Sequence, residues 1–137
     1  MPTRPDFVLA NPVARSFSVG DRFNAPREYK HAPTKLQLHE GIDIVAVDGQ
    51  GGPVAVMAAQ RGMVDLVGYS GDGYGNYVRI VHLWGREKFV TWYGHLSAVT
   101  ARQGQFVLAG QKIGIAGSTG YSWGIHLHLT LQWIGHG

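Results

Sequence analysis

The chain has no cysteine, which excludes disulfides, thiolate metal sites and a cysteine nucleophile and leaves the redox compartment open. No apolar run approaches the ~18 to 20 residues that a membrane-spanning helix requires. There is no Lys/Arg block either. Twelve basic and nine acidic residues, scattered along the chain, give a net charge of +3. That gives little support to a nucleic-acid partner and allows at most weak attraction of an anionic polymer. Proline is scarce beyond the start, since five of the six lie within the first 33 positions. Nowhere do ten consecutive residues carry the i, i+3, i+4 apolar spacing of an amphipathic helix.

What is present is a composition 45% hydrophobic and 15% charged, that of a folded chain rather than a disordered one. A length of 137 residues suits one domain with a single core. Glycine is abundant at twenty residues, about twice its usual share, which disfavours long helices and favours turns between short strands. The proline-bearing start (Pro2, Pro5, Pro12, Pro26, Pro33) shows no sustained period and reads as an extended, irregular arm. From Leu36 onward, short runs rich in Val, Ile, Tyr, Phe, Trp and Thr alternate with Gly, Asp, Asn and Ser. These runs are 42–47, 54–58, 62–67, 77–83, 88–93, 105–108, 112–116 and 126–133, and Trp84-Gly85-Arg86-Glu87 is expected to be a hairpin connection. The pattern predicts an all-β fold, mainly antiparallel sheet with glycine-rich loops and little helix. It also predicts a division into an N-terminal arm at 1–34 and one domain at 35–137. The first residues lack the basic and apolar regions of a secretory signal and the chain stops directly after a strand-like run, so a piece of a longer protein is expected.

The seven histidines carry the chemistry. In His126-Leu127-His128-Leu129-Thr130-Leu131 the residues alternate as in a strand, and positions i and i+2 of a strand share a face. Two imidazoles, with Cα atoms ~6.5 Å apart, would stand side by side, so that one could bind a metal while the other reaches what the metal binds. An isolated H-x-H is more often a pair of polar residues on a solvated face. His39 and Asp43 would lie ~13 Å apart in a straight strand and can meet only if the chain bends at Gly41. The plain alternative is an exposed histidine and a turn aspartate, with Glu40 facing solvent. His95 ends the strand-like Thr91-Trp92-Tyr93-Gly94-His95 beside a glycine, where a polar residue suits a site better than a core. His31, His82 and His136 have no partner pattern and read as structural or surface residues, with His82 buried or half-buried through its alternation with Val78 and Ile80. Taken together, His39, Asp43 and one member of the H-x-H pair make three N/O ligands. That set leaves a fourth tetrahedral position for water, which is the composition of a catalytic zinc site rather than a structural one.

At these residues the sequence resembles the LytM/lysostaphin-type zinc endopeptidases of peptidase family M23, which cut peptide bonds in bacterial peptidoglycan. The resemblance runs from about Leu36 to Gln132. It rests on His39-Glu40-Gly41-Ile42-Asp43, on Gly75-Asn76 through His82, and on Trp92-Tyr93-Gly94-His95-Leu96-Ser97. It continues through Gly110-Gln111 to Gly114, Gly117-Ser118-Thr119-Gly120 and Gly124-Ile125-His126-Leu127-His128. It implies a LytM-like fold with a groove over the metal and one zinc ion (Zn2+) held by His39, Asp43 and His128. His95 and His126 are implied as the catalytic histidines beside the metal. It further implies a peptidoglycan peptide as substrate, an extracytoplasmic site of action in the wall or periplasm, secreted or phage-associated, and a monomer. Two departures bear on groove shape and substrate preference: Ile125 replaces the usual Pro or Thr, and Leu129-Thr130 replaces the frequent Phe-Glu. Neither replaces a ligand.

Zinc would lower the pKa of its water from 15.7 towards ~7, with His126 and His95 stabilising the oxyanion or passing a proton to the leaving amine. The glycine- and aromatic-rich loops 69–74 and 118–123 are expected to wall the groove, or else simply to form turns. Three alternatives are weighed. A cupin-like metal barrel needs a Glu soon after its H-x-H, and Leu-Thr-Leu-Gln-Trp-Ile-Gly follows instead. A non-catalytic wall-binding or regulatory module of the same fold would be marked by missing ligands, yet all five positions are kept. An intact zinc domain held inactive by the arm, 1–33, would be revealed by comparing activity with and without it.

Overall fold

The structure is a computed structural model that describes residues 9–13, 42–46, 52–71, 73–120 and 125–136. Each β-branched or aromatic run becomes a strand: β1 (Ile42–Val45), β2 (Ala55–Met57), β3 (Gly62–Ser70), β4 (Gly75–Trp84), β5 (Glu87–Val99), β6 (Phe106–Val107), β7 (Lys112–Ala116) and β8 (His126–His136). Among the described residues there is no helix, as the all-β reading expects. Every strand pairing is antiparallel. The sheet runs β1-β8-β5-β4-β3-β6, with β7 pairing β5 and β2 outside that path. Residues Gly85 and Arg86 connect β4 to β5 as a hairpin closed by Trp84 and Glu87.

The alternation seen in sequence becomes burial. Along β4, Val78, Ile80 and His82 are buried, and along β8 so are Leu127, Leu129 and Leu131. With Ile44, Val64, Tyr93 and Leu96 most of these side chains belong to one hydrophobic cluster, in which each buried Leu or Ile contributes roughly 1.5–3 kcal/mol. Part of the N-terminal arm joins it. The Ala10 amide donates to the Ala59 carbonyl, the Met57 amide donates to the Pro12 carbonyl, and Val13 bridges to Val56 and is buried in the core.

β5 organises the rest. One of its edges pairs with β4 along most of its length. The other edge pairs with β8 from Glu87 to Gly94 and with β7 from Leu96 to Val99. The exchange of partners falls at His95, where the β4 register jumps from Val78↔Tyr93 to Asn76↔Leu96. Gly94 and His95 therefore oppose the single residue Tyr77, the geometry of a β-bulge. His95 was expected to close its strand. Instead the strand continues through it to Val99, because the bulge redirects the chain without ending its pairing.

Candidate functional site

β8 presents the H-x-H pair. Leu127 between them is fully buried, so His126 and His128 take the opposite face, where both are half-buried. β5 supplies the third ring at its bulge. The His95 and His126 rings lie 4.8 Å apart between centroids, and those of His95 and His128 6.0 Å. Three of the five site residues read from the sequence are thus brought together. For a fourth, the backbone is placed: Asp43 on β1 is the register partner of His128, whose neighbour on the other side is Gly94. The side chain of Asp43 and all of His39, Glu40 and Gly41 lie outside the described residues, as do His31 and the His136 side chain. Among the described residues no three His, Cys, Asp or Glu side chains form a metal-holding group.

His95 is held unusually. Its backbone has φ 65°, in the left-handed region that few non-glycine residues enter. It is only 6% exposed. Its amide donates to the Tyr74 carbonyl at 2.5 Å, and its Nδ1 lies 2.7 Å from the Thr119 carbonyl. A carbonyl can only accept, so Nδ1 carries a proton.

Tyr74 lies against the second histidine. A side chain on Gly94 would put a Cβ 2.7 Å from the Tyr74 ring. The missing side chain lets that ring lie over the β5 backbone. There Tyr74 stacks on Trp92 at 5.3 Å and 18°, and its centroid is 5.6 Å from that of His128. The Tyr74 hydroxyl is 3.3 Å from Thr130 Oγ1. Thr130 is buried, so one of the two departures noted in the sequence has a structural partner at the site. Trp92 is fixed in turn by Arg79, whose guanidinium sits 5.1 Å from its ring and binds both Asp65 oxygens, at 2.9 and 2.7 Å.

Both loops expected as groove walls therefore reach the imidazoles, through Tyr74 and Thr119. Those loops were legible in the sequence, whereas nothing there set Tyr74, Trp92 or Thr119 apart as site residues. The only signal was an aromatic or a Thr among glycines beside the motif histidines.

The donor chemistry fits a zinc ion. His128 is an imidazole donor on an interior strand, its register partner is an aspartate, and no thiolate exists to compete.

The profile of Peptidase family M23 matches residues 37–136. A curated relative, the DD-carboxypeptidase/endopeptidase Mpg of Neisseria meningitidis serogroup B, is 44% identical over 109 residues, which is 78% of this chain and 23% of that protein. Among solved structures, the catalytic domain of lysostaphin from Staphylococcus simulans is 35% identical with a TM-score of 0.61, covering 69% of this chain and 67% of that one. A zinc containing peptidase from Vibrio cholerae is 25% identical with a TM-score of 0.58, covering 95% of this chain and 37% of that one. The chain spans 23% of the length of the first curated relatives it matches.

Proposed function

The chain belongs to peptidase family M23, and from that premise we propose that it is a zinc-dependent endopeptidase hydrolysing peptide bonds in bacterial peptidoglycan outside the cytoplasm. The observation that carries this reading is the convergence of the His95, His126 and His128 rings where β5 changes partner, with Asp43 as the register partner of His128. The relatives' names support the substrate class: Mpg is named a DD-carboxypeptidase/endopeptidase and lysostaphin an antimicrobial peptidase.

His39, Asp43 and His128 would hold the metal. When bound, zinc supplies a Lewis acid that polarises the scissile carbonyl and lowers the pKa of a water towards ~7. The remaining work belongs to the chain. His95, with its Nδ1 proton given to the Thr119 carbonyl, offers Nε2 to receive a proton and later return it to the leaving amine. His126, beside it at 4.8 Å, donates to the oxygen on which negative charge develops. His95 and Thr130 are buried beside the half-buried His126 and His128, and burial strengthens electrostatic interactions there. Among the described residues no helix is long and apolar enough to cross a membrane.

The test is incubation with purified peptidoglycan, with and without a chelator, and identification of the fragments by mass spectrometry. Chelator-sensitive release of peptide ends is expected. Intact peptidoglycan after treatment with the zinc-loaded protein would refute the reading.

A further inference from the structure

We propose that Thr119 is a positioning residue that sets both the tautomer and the aim of His95, an inference that rests on the catalytic role assigned to His95 above. Its hydroxyl joins two strands. Thr119 Oγ1 donates to the Leu96 carbonyl at 2.7 Å and accepts from the Asn76 amide at 3.1 Å. The Asn76 side-chain amide donates to the same Leu96 carbonyl at 2.9 Å. The backbone carbonyl of Thr119 is the acceptor for His95 Nδ1.

These contacts grip the bulge on both sides. The amide of His95 is held by Tyr74, the carbonyl of the following residue by Thr119 and Asn76, and the ring by Thr119 again. A non-glycine residue in the left-handed region persists only where its surroundings over-determine it. Here Tyr74 and Asn76 contribute one contact each, and Thr119 contributes through two groups, its hydroxyl and its carbonyl. Fixing the Thr119 hydroxyl fixes its own carbonyl, and that carbonyl dictates which ring nitrogen of His95 carries the proton. The arrangement also requires close contact between backbones. Gly75 and Gly120 have φ of +65° and +74°, and a Cβ on Gly120 would fall 2.3 Å from the Gly75 amide nitrogen. The 118–120 turn is thereby pressed against the start of β4, and no side chain separates the two.

The experiment compares zinc-loaded wild type, Thr119→Val and Thr119→Ser. Histidine-ring 15N spectra, with His95 assigned by loss of its signals in His95→Gln, should show the Nδ1-protonated tautomer in wild type and Thr119→Ser. In Thr119→Val the same ring should shift towards the Nε2-protonated form. Against solubilised peptidoglycan, Thr119→Val should lower kcat by about 10²-fold, leave KM and zinc content unchanged, and be rescued by Ser. If Thr119→Val does not fold, Asn76→Ala, which removes the other donor to the Leu96 carbonyl, must move tautomer and kcat in the same direction. An unchanged His95 tautomer, an unchanged kcat, loss of zinc or failure of Ser to rescue would each overturn the inference. Wild type inert towards peptidoglycan but with the expected tautomers would refute the proposed function and leave the clamp standing.

Discussion

Two histidines on the adjacent central strands β4 and β5 have opposite fates. His82 is fully buried. Its Nδ1 is 2.7 Å from the Arg61 carbonyl and its Nε2 2.8 Å from Thr91 Oγ1, and Thr91 Oγ1 in turn lies 2.9 Å from the Tyr93 hydroxyl. That hydroxyl accepts from the Ala59 amide at 2.9 Å. Burial pushes His82 down to about 4, overriding the opposing pull of its bond to the Arg61 carbonyl. Burial likewise pushes the Tyr93 phenol up to about 12. The chain of polar groups is therefore neutral and serves the core, linking β4, β5 and the segment before β3. His95 is nearly as enclosed, yet it sits at a bulge, with a strained backbone and two further imidazoles beside it. A buried histidine becomes structural when protein groups hold both of its nitrogens within the core. His95 differs in that its ring is set among two further imidazoles at a break in the sheet, the placement on which its proposed catalytic role rests.

The sharpest division should appear in activity. His126→Ala and His95→Ala should each reduce peptidoglycan hydrolysis by about 10²–10⁴-fold while zinc content, read by metal analysis, stays near one ion per chain. His128→Ala should lose the zinc itself. If His126→Ala loses metal and His128→Ala keeps it, the roles within the pair are reversed. His82→Gln should leave kcat unchanged, and a fall comparable to that of His95→Ala would erase the contrast between the two histidines.

A smaller effect separates them by pH. Folded His82 takes a proton only near pH 4, whereas an unfolded histidine does so near 6.5. Between those values the unfolded chain binds a proton that the folded one refuses, so stability falls as pH drops through that window. The penalty due to His82 is absent above about pH 6.5 and grows to about 3 kcal/mol of lost stability by pH 4. Urea unfolding of metal-free wild type and His82→Gln at pH 7 and 4.5 checks this. The gap between the two proteins should shrink in acid, and a gap independent of pH would contradict it.

The smallest expected change is Thr91→Val, which deprives both His82 and Tyr93 of a buried partner at nearly constant volume. It should cost about 1–3 kcal/mol in urea unfolding with kcat unchanged. Loss of activity without loss of stability would mean that the His82 chain communicates with the site.

Legibility in the sequence followed the range of the interaction concerned. All eight strand-like runs correspond to strands, and the shared face of His126 and His128 was readable, because alternation is a property of a few consecutive residues. The burial of His82 was readable for the same reason. Its hydrogen-bonded chain was not, since Thr91 reaches it only through the β4–β5 register. The bulge at His95 was equally hidden. It exists because β5 passes from β8 to β7 while still paired with β4, and no local pattern records that change of neighbour.

By itself, then, the sequence determined the strand periodicity, the family motifs and the imidazoles that belong to a site. Only the tertiary structure decided how they are held: His95 at a bulge with its Nδ1 against the Thr119 carbonyl, Tyr74 resting on Gly94 beside His128, and His82 enclosed in the core. The physical reason is that side-chain alternation is set by the chain's own geometry, whereas register, bulges and contacts between loops depend on which strands meet.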